Sequence, residues 1–181
     1  MNHYTATAKA LHWLMALLLI GLVALGVYMH ELPLSPRKLQ LYSWHKWAGV
    51  TVFLLVALRL AWRLGHRPPA LPGTMPPLLR RVASATHGLL YLLMFAIPLS
   101  GWLMSSAKGF QTVYFGVLPL PDLLAKDAAL GDALQQLHFG LNLLFAVLVI
   151  GHAGAALKHH FIDRDDILAR MLPRRTQEKK S

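Results

Sequence analysis

The stretch from Leu137 to Leu157 reads LHFGLNLLFAVLVIGHAGAAL and constrains the fold more than any other. As a helix rising about 1.5 Å per residue it is long enough to cross the ~30 Å hydrocarbon layer of a bilayer. It carries His138 near its start and His152 near its end. Fourteen residues at about 100° each fall roughly 40° short of four full turns, so both imidazoles share one face, ~21 Å apart along the axis. Ionisable groups at membrane depth are costly and usually functional. Two metal-centred sites stacked across a membrane would account for this pair.

Three further runs reach membrane length: about Lys9 to Tyr28, Leu41 to Trp62 and Val82 to Met104. The first is too long for the apolar region of a signal peptide and lacks a small-x-small cleavage site, so it reads as a retained helix. The expectation is one all-α domain over residues 1–181, an integral membrane four-helix bundle. Of the 181 residues 55% are hydrophobic and only 14% charged, too few charges for a soluble domain of this length. There is no cysteine, which excludes disulfides, thiolate metal sites, cysteine nucleophiles and covalent c-type haem.

The formal charge of +10 would suit nucleic acid, but its distribution argues for topology instead. Lys9, then Arg59, Arg63, Arg67, Arg80 and Arg81, then Lys158, Arg164, Arg170, Arg174, Arg175, Lys179 and Lys180 fall on one side, 13 in all. Arg37, Lys38, Lys46, Lys108 and Lys126, 5 in all, fall on the other. The positive-inside rule then puts both termini of a multi-pass protein in the cytoplasm, across a bacterial inner membrane. The outer side is nearly balanced, because Glu31, Asp122, Asp127 and Asp132 leave it a net +1.

The connections read as a short outer loop over residues 31–40, a proline-rich inner linker from Arg67 to Pro77, and a long outer loop from Ser105 to Gln136. Within the last, VYFGVLPLPDLL is apolar enough to lie on the membrane surface, and Ala125 to Gln136 reads as a short helix leading into the fourth. Pro98 falls inside the third helix.

Alternating helix direction sorts the remaining histidines by depth. His12, His87 and His152 lie at the inner level, His45 and His138 at the outer. A b-type haem held by two histidines needs two imidazoles at one depth on facing helices. The outer pair is then His45 with His138. At the inner level His152 pairs with His12 or with His87. Gly49, Gly140 and Gly151 lie near these positions and suit close backbone approach, for a flat macrocycle or for plain helix packing. Lys46, beside His45, either snorkels to the headgroups or attracts an anion. His3, His30 and His66 read as solvated bystanders. The five tryptophans mark the membrane interfaces.

Several stretches together carry a resemblance: ALHWLMALL with His12, WHKWAG with His45, RLAWR, THGLLYLLMFAIPLSGWLM with His87, and HFGLNLLFAVLVIGHAGAALKHHFIDRDDILARMLP. In this order they resemble the bacterial cytochrome b561 family of four-helix dihaem membrane proteins. Among its members the chain is similar to the small ones described as superoxide oxidases, or superoxide:ubiquinone oxidoreductases. The fourteen-residue histidine spacing is also similar to that in the haem-bearing membrane subunits of formate dehydrogenases and hydrogenases.

The resemblance implies two haem b groups, with iron held by His12 and His152 and by His45 and His138. It implies an oxidoreductase that passes electrons from superoxide on the periplasmic side to ubiquinone near the cytoplasmic side. His87 and His159 are the polar groups to place beside ubiquinone. The alternative is a haem-bearing membrane anchor passing electrons between a separate dehydrogenase, a redox partner protein, and quinone. A transporter using histidines as transient metal ligands would share the helices but show no haem absorption.

Overall fold

In a computed structural model, residues 3–70, 72 and 75–172 are described. Leu71, Gly73 and Thr74 of the proline-rich linker, and the basic residues Arg174, Arg175, Lys179 and Lys180, lie outside them.

Four long helices form where the apolar runs predict them, but each extends beyond its run. They are α1 (Ala6–Glu31), α2 (Pro36–Gly65), α3 (Pro77–Ala107) and α4 (Ala128–Phe161). The extensions follow capping chemistry rather than hydropathy. The Thr5 hydroxyl accepts from the Ala8 N–H, Ser35 from Lys38, and Asp127 from Leu130, each satisfying a free amide of the first turn. Pro36 and Pro77 stand at the first helical positions of α2 and α3, where a missing N–H costs nothing. The expected short helix over 125–136 is instead the first turns of α4, continuous with the apolar part because Asp127 caps the whole.

The helices pack in sequence, α1 on α2, α2 on α3 and α3 on α4. Two apolar clusters fill the middle. Met15, Val52 and Val56 join α1 and α2, with Met94 and Phe95 of α3 against them. Leu90, Leu93 and Phe145 join α3 and α4, with Leu19 of α1 reaching in. Little else is buried: 6–11% of the apolar window of each helix lies inside the molecule. Leu17, Leu54, Leu143 and Ile150 are all more than half exposed. An apolar surface this large facing outward matches a hydrocarbon solvent, not water.

The long loop holds a two-stranded antiparallel hairpin, β1 (Val113–Tyr114) and β2 (Leu118–Pro119), that hydropathy alone did not predict. Phe115 and Gly116 both take positive φ at its turn, a conformation natural to glycine. The loop is laced to the helix ends. The Trp47 indole donates to Val113 O (2.6 Å), Trp102 to Pro121 O (3.1 Å), and Thr51 Oγ1 meets the Tyr114 hydroxyl (2.8 Å). At the opposite end the segment after α4 folds back. There Lys9 Nζ donates to Leu172 O and the Trp13 indole to Met171 O. The tryptophans expected merely to mark the interfaces therefore also tie loops to helices.

Candidate functional site

The histidines predicted to lie at two depths converge at the two ends of the bundle. Near the hairpin, the rings of His45 on α2 and His138 on α4 face each other at 6.4 Å between centroids. Near the termini, His12 on α1 and His152 on α4 do so at 6.3 Å. The apolar clusters lie between the two levels. Neither pair bridges helices that pack on one another in sequence, so each spans a gap between helices.

The spacing discriminates between uses. Two metal–imidazole bonds of about 2 Å in line separate the bonded nitrogens by about 4 Å, and the ring centres, each set back by roughly 1 Å, by roughly 6 Å. Both pairs meet that requirement. His87, the other inner candidate, stands 5.2 Å from His152, too close to sit across a metal from it. At the inner level the geometry thus favours His12 opposite His152 and leaves His87 beside them.

Hydrogen bonding orients the outer pair. His138 Nδ1 lies 3.0 Å from the Ile97 carbonyl and 3.0 Å from Ser100 Oγ. A carbonyl only accepts, so Nδ1 carries the proton and Nε2 keeps the lone pair a metal needs. Ser100 is itself buried and donates to the same carbonyl at 2.8 Å. His45 Nδ1 is buried without a partner among the described residues. Glycines back both rings. A Cβ on Gly101 would come within 3.2 Å of His138 Cε1, and one on Gly26 within 3.4 Å of His45 Cε1. Gly49, Gly140 and Gly151, expected to lie close to the site, face open space where side chains of the fold do not reach.

Lys46 is not a free cation at the outer level. Its Nζ donates to Ser105 Oγ (2.9 Å) and Phe110 O (3.0 Å), clamping the loop to α2. At the other end His159 is held by two carboxylates. Its Nδ1 lies 2.8 Å from an Asp165 carboxylate oxygen and 3.0 Å from one of Asp163. His66 is exposed, as expected, but it is not without contacts. It stacks on Trp62, with ring centres 4.0 Å apart and planes within 5°, and lines a pocket with Tyr4, Arg59, Arg63 and Tyr91. By sequence Arg59 is only one of the charges that set topology. Its Nε donates to the Tyr91 hydroxyl (3.0 Å), its Nη1 to Ala8 O (3.1 Å), and Nη2 stands 3.4 Å from His12 Nδ1. The signal for it in the sequence was an arginine at the depth of the inner histidines.

The family model for prokaryotic cytochrome b561 matches residues 3–174. The chain belongs to the prokaryotic cytochrome b561 family. Cytochrome b561 homolog 2 of Escherichia coli K12 is 37% identical, over 94% of this chain and 92% of that protein. Cytochrome b561 homolog 1 of the same organism is 29% identical, over 97% and 99%. The probable superoxide oxidase CybB of Yersinia pestis is 28% identical, over 95% and 97%. As a prokaryotic cytochrome b561 the protein is a transmembrane cytochrome b of electron transfer, and the family implies haem b. The donors found here fit that group: facing imidazoles, one with its lone-pair nitrogen fixed by a carbonyl.

Proposed function

We propose that the protein is a dihaem superoxide:ubiquinone oxidoreductase of the bacterial inner membrane, with both termini in the cytoplasm. His45 and His138 hold the outer haem and His12 and His152 the inner one. The observation that carries this reading is the presence of two facing histidine pairs, at 6.4 and 6.3 Å, at opposite ends of the helices. Haem with histidine on both faces of its iron has no open coordination position, so when bound it supplies reversible one-electron transfer rather than oxygen activation. Two superoxide ions give one electron each and leave as O2, and ubiquinone takes both electrons with two protons.

The chain's own residues set the conditions. Ile97 and Ser100 fix the tautomer and direction of His138. The mid-depth clusters around Val56 and Leu93 keep water from the space between the levels. Lys46 and Trp47 hold the hairpin against the outer end. His87 stands beside the inner pair, and His159 is hydrogen-bonded to Asp163 and Asp165; in this proposal they are the groups that serve ubiquinone and its protons. The CybB relative supplies the superoxide reading by its name alone, at 28% identity.

Stopped-flow spectra of the Soret band test this. The purified protein alone should be reduced by superoxide and reoxidised by ubiquinone. A wild-type protein with both haems bound that superoxide does not reduce would overturn the oxidase reading. The membrane-anchor reading would then replace it.

A further inference from the structure

The inner end of the bundle carries two guanidinium groups that no described carboxylate neutralises. Arg59 lies within the long apolar α2, at the level of His12, and Arg63 one turn further on. Among the described residues neither forms an ion pair. Arg59 donates to a hydroxyl and a carbonyl and its Nη2 stands 3.4 Å from His12 Nδ1, while Arg63 lies over the Tyr91 ring at 5.7 Å. The described carboxylates at this end are Asp163, Asp165 and Asp166, and each is committed elsewhere. Asp163 takes Lys158 and His159, Asp165 takes His159, and Asp166 takes Arg170. A charge at membrane depth is expensive without a counter-charge.

A second observation points to the same missing group. A histidine bonded to iron through one nitrogen carries a proton on the other and normally gives it to a carbonyl, carboxylate or water. His138 has such an acceptor in Ile97 O. His12 does not, for the group near its Nδ1 is Arg59 Nη2, which is itself a donor. Two N–H groups 3.4 Å apart cannot serve each other once iron fixes the tautomer. One oxyanion can accept from both. The pocket beside them, lined by Tyr4, Arg59, Trp62, Arg63, His66 and Tyr91, contains no acidic side chain.

We propose that Arg59 and Arg63 form an oxyanion clamp at the inner end, taking a carboxylate or phosphate that accepts from Arg59 and from His12 together. The inference rests on His12 being an inner haem ligand. Two sources share the chemistry: a propionate carboxylate of that haem, from within, and the phosphate of an anionic phospholipid, from the membrane.

The test uses the full-length haem-loaded protein, with Arg59→Gln, Arg63→Gln, the double variant and Arg59→Lys. Haem loss to apomyoglobin and bound lipid by native mass spectrometry are both read. If the oxyanion is a propionate, the double variant loses one of its two haems at least tenfold faster, and Arg59→Lys restores most of the retention. If it is a lipid phosphate, haem loss is unchanged. Phosphatidylglycerol then co-purifies with wild type but not with the double variant, and raises the melting temperature of wild type alone. Unchanged haem loss together with unchanged lipid binding overturns the clamp. Tyr91→Phe removes an acceptor of Arg59 but leaves the charge. If it accelerates haem loss as much as Arg59→Gln, Arg59 only ties helices together and the clamp is again overturned. His12→Ala separates the two ideas. If that variant keeps both haems, the ligand assignment itself is wrong, whatever the arginines do.

Discussion

At the residue scale, the glycines behind the outer histidines make opposite predictions from similar positions. A Cβ at Gly26 would sit 3.4 Å from the His45 ring, an ordinary contact. Gly26→Ala should therefore leave haem content unchanged, with up to about 1 kcal/mol of helix stability gained. At Gly101 the Cβ would lie 3.2 Å from His138 Cε1, on a ring pinned from the other side by Ile97 and Ser100. That ring can yield only by breaking a hydrogen bond that orients it. Gly101→Ala should lower outer haem occupancy, read as haem per chain and as a shifted Soret maximum. Ser100→Ala keeps the carbonyl acceptor and should cost less, about 1 kcal/mol. At the inner level His87→Ala should retain both haems while His12→Ala loses one, because 5.2 Å is too short a spacing to hold a metal between two rings. Little of this residue-level detail was legible in the sequence. Spacing gave the depth of each histidine, but not that Gly101, Ser100 or Arg59 would stand against one.

At the scale of elements, the hairpin loop and the segment after α4 both hold their places through a few polar contacts. Lys46 illustrates the consequence. Its hydrogen bonds to Ser105 and Phe110 are charge-assisted, of a kind worth roughly 1.5–3 kcal/mol each. Lys46→Met should loosen the loop, seen as faster proteolysis between 108 and 127. If reduction by superoxide slows as well, the slowing should not depend on salt. A salt-dependent effect would mark the lysine as a steering charge instead. At the other end, the hydrogen bond from Lys158 holds the Asp163 carboxyl below its usual range, and the one from Arg170 does the same for Asp166. A depressed folded-state value stabilises the folded turn above the ordinary carboxylate pKa and is lost as pH falls through the depressed one. Both carboxylates are exposed and screened, so amide protection over 163–172 should weaken modestly as pH falls below the ordinary carboxylate range, and not above it. The helices themselves were readable from apolar run length. Their ends were not, because Thr5, Ser35 and Asp127 cap beyond the apolar stretches and hydropathy does not register a cap. The hairpin was missed for the related reason that two-residue strands leave almost no periodic signal.

At the scale of the whole molecule, the two histidine levels give the helices a direction, and charge supplies its sign. Among the described residues the basic side chains divide 9 to 5 between the end where α1 begins and α4 finishes and the end with the hairpin. Lys and Arg near helix ends are retained on the cytoplasmic side, so the hairpin end should face the periplasm. The proposed function depends on it, since only in that orientation would superoxide formed outside meet His45 and His138. The absence of cysteine makes the test clean. Val117, at the hairpin turn, is 82% exposed, and Ala169, in the segment after α4, is also exposed. A membrane-impermeant maleimide added to intact spheroplasts should label a Val117→Cys variant at once, and an Ala169→Cys variant only after the membrane is permeabilised. The reverse pattern would place the hairpin in the cytoplasm. The pair His45–His138 would then face the quinone-reducing side, and the proposed direction of electron flow would have to be abandoned even with every ligand assignment intact.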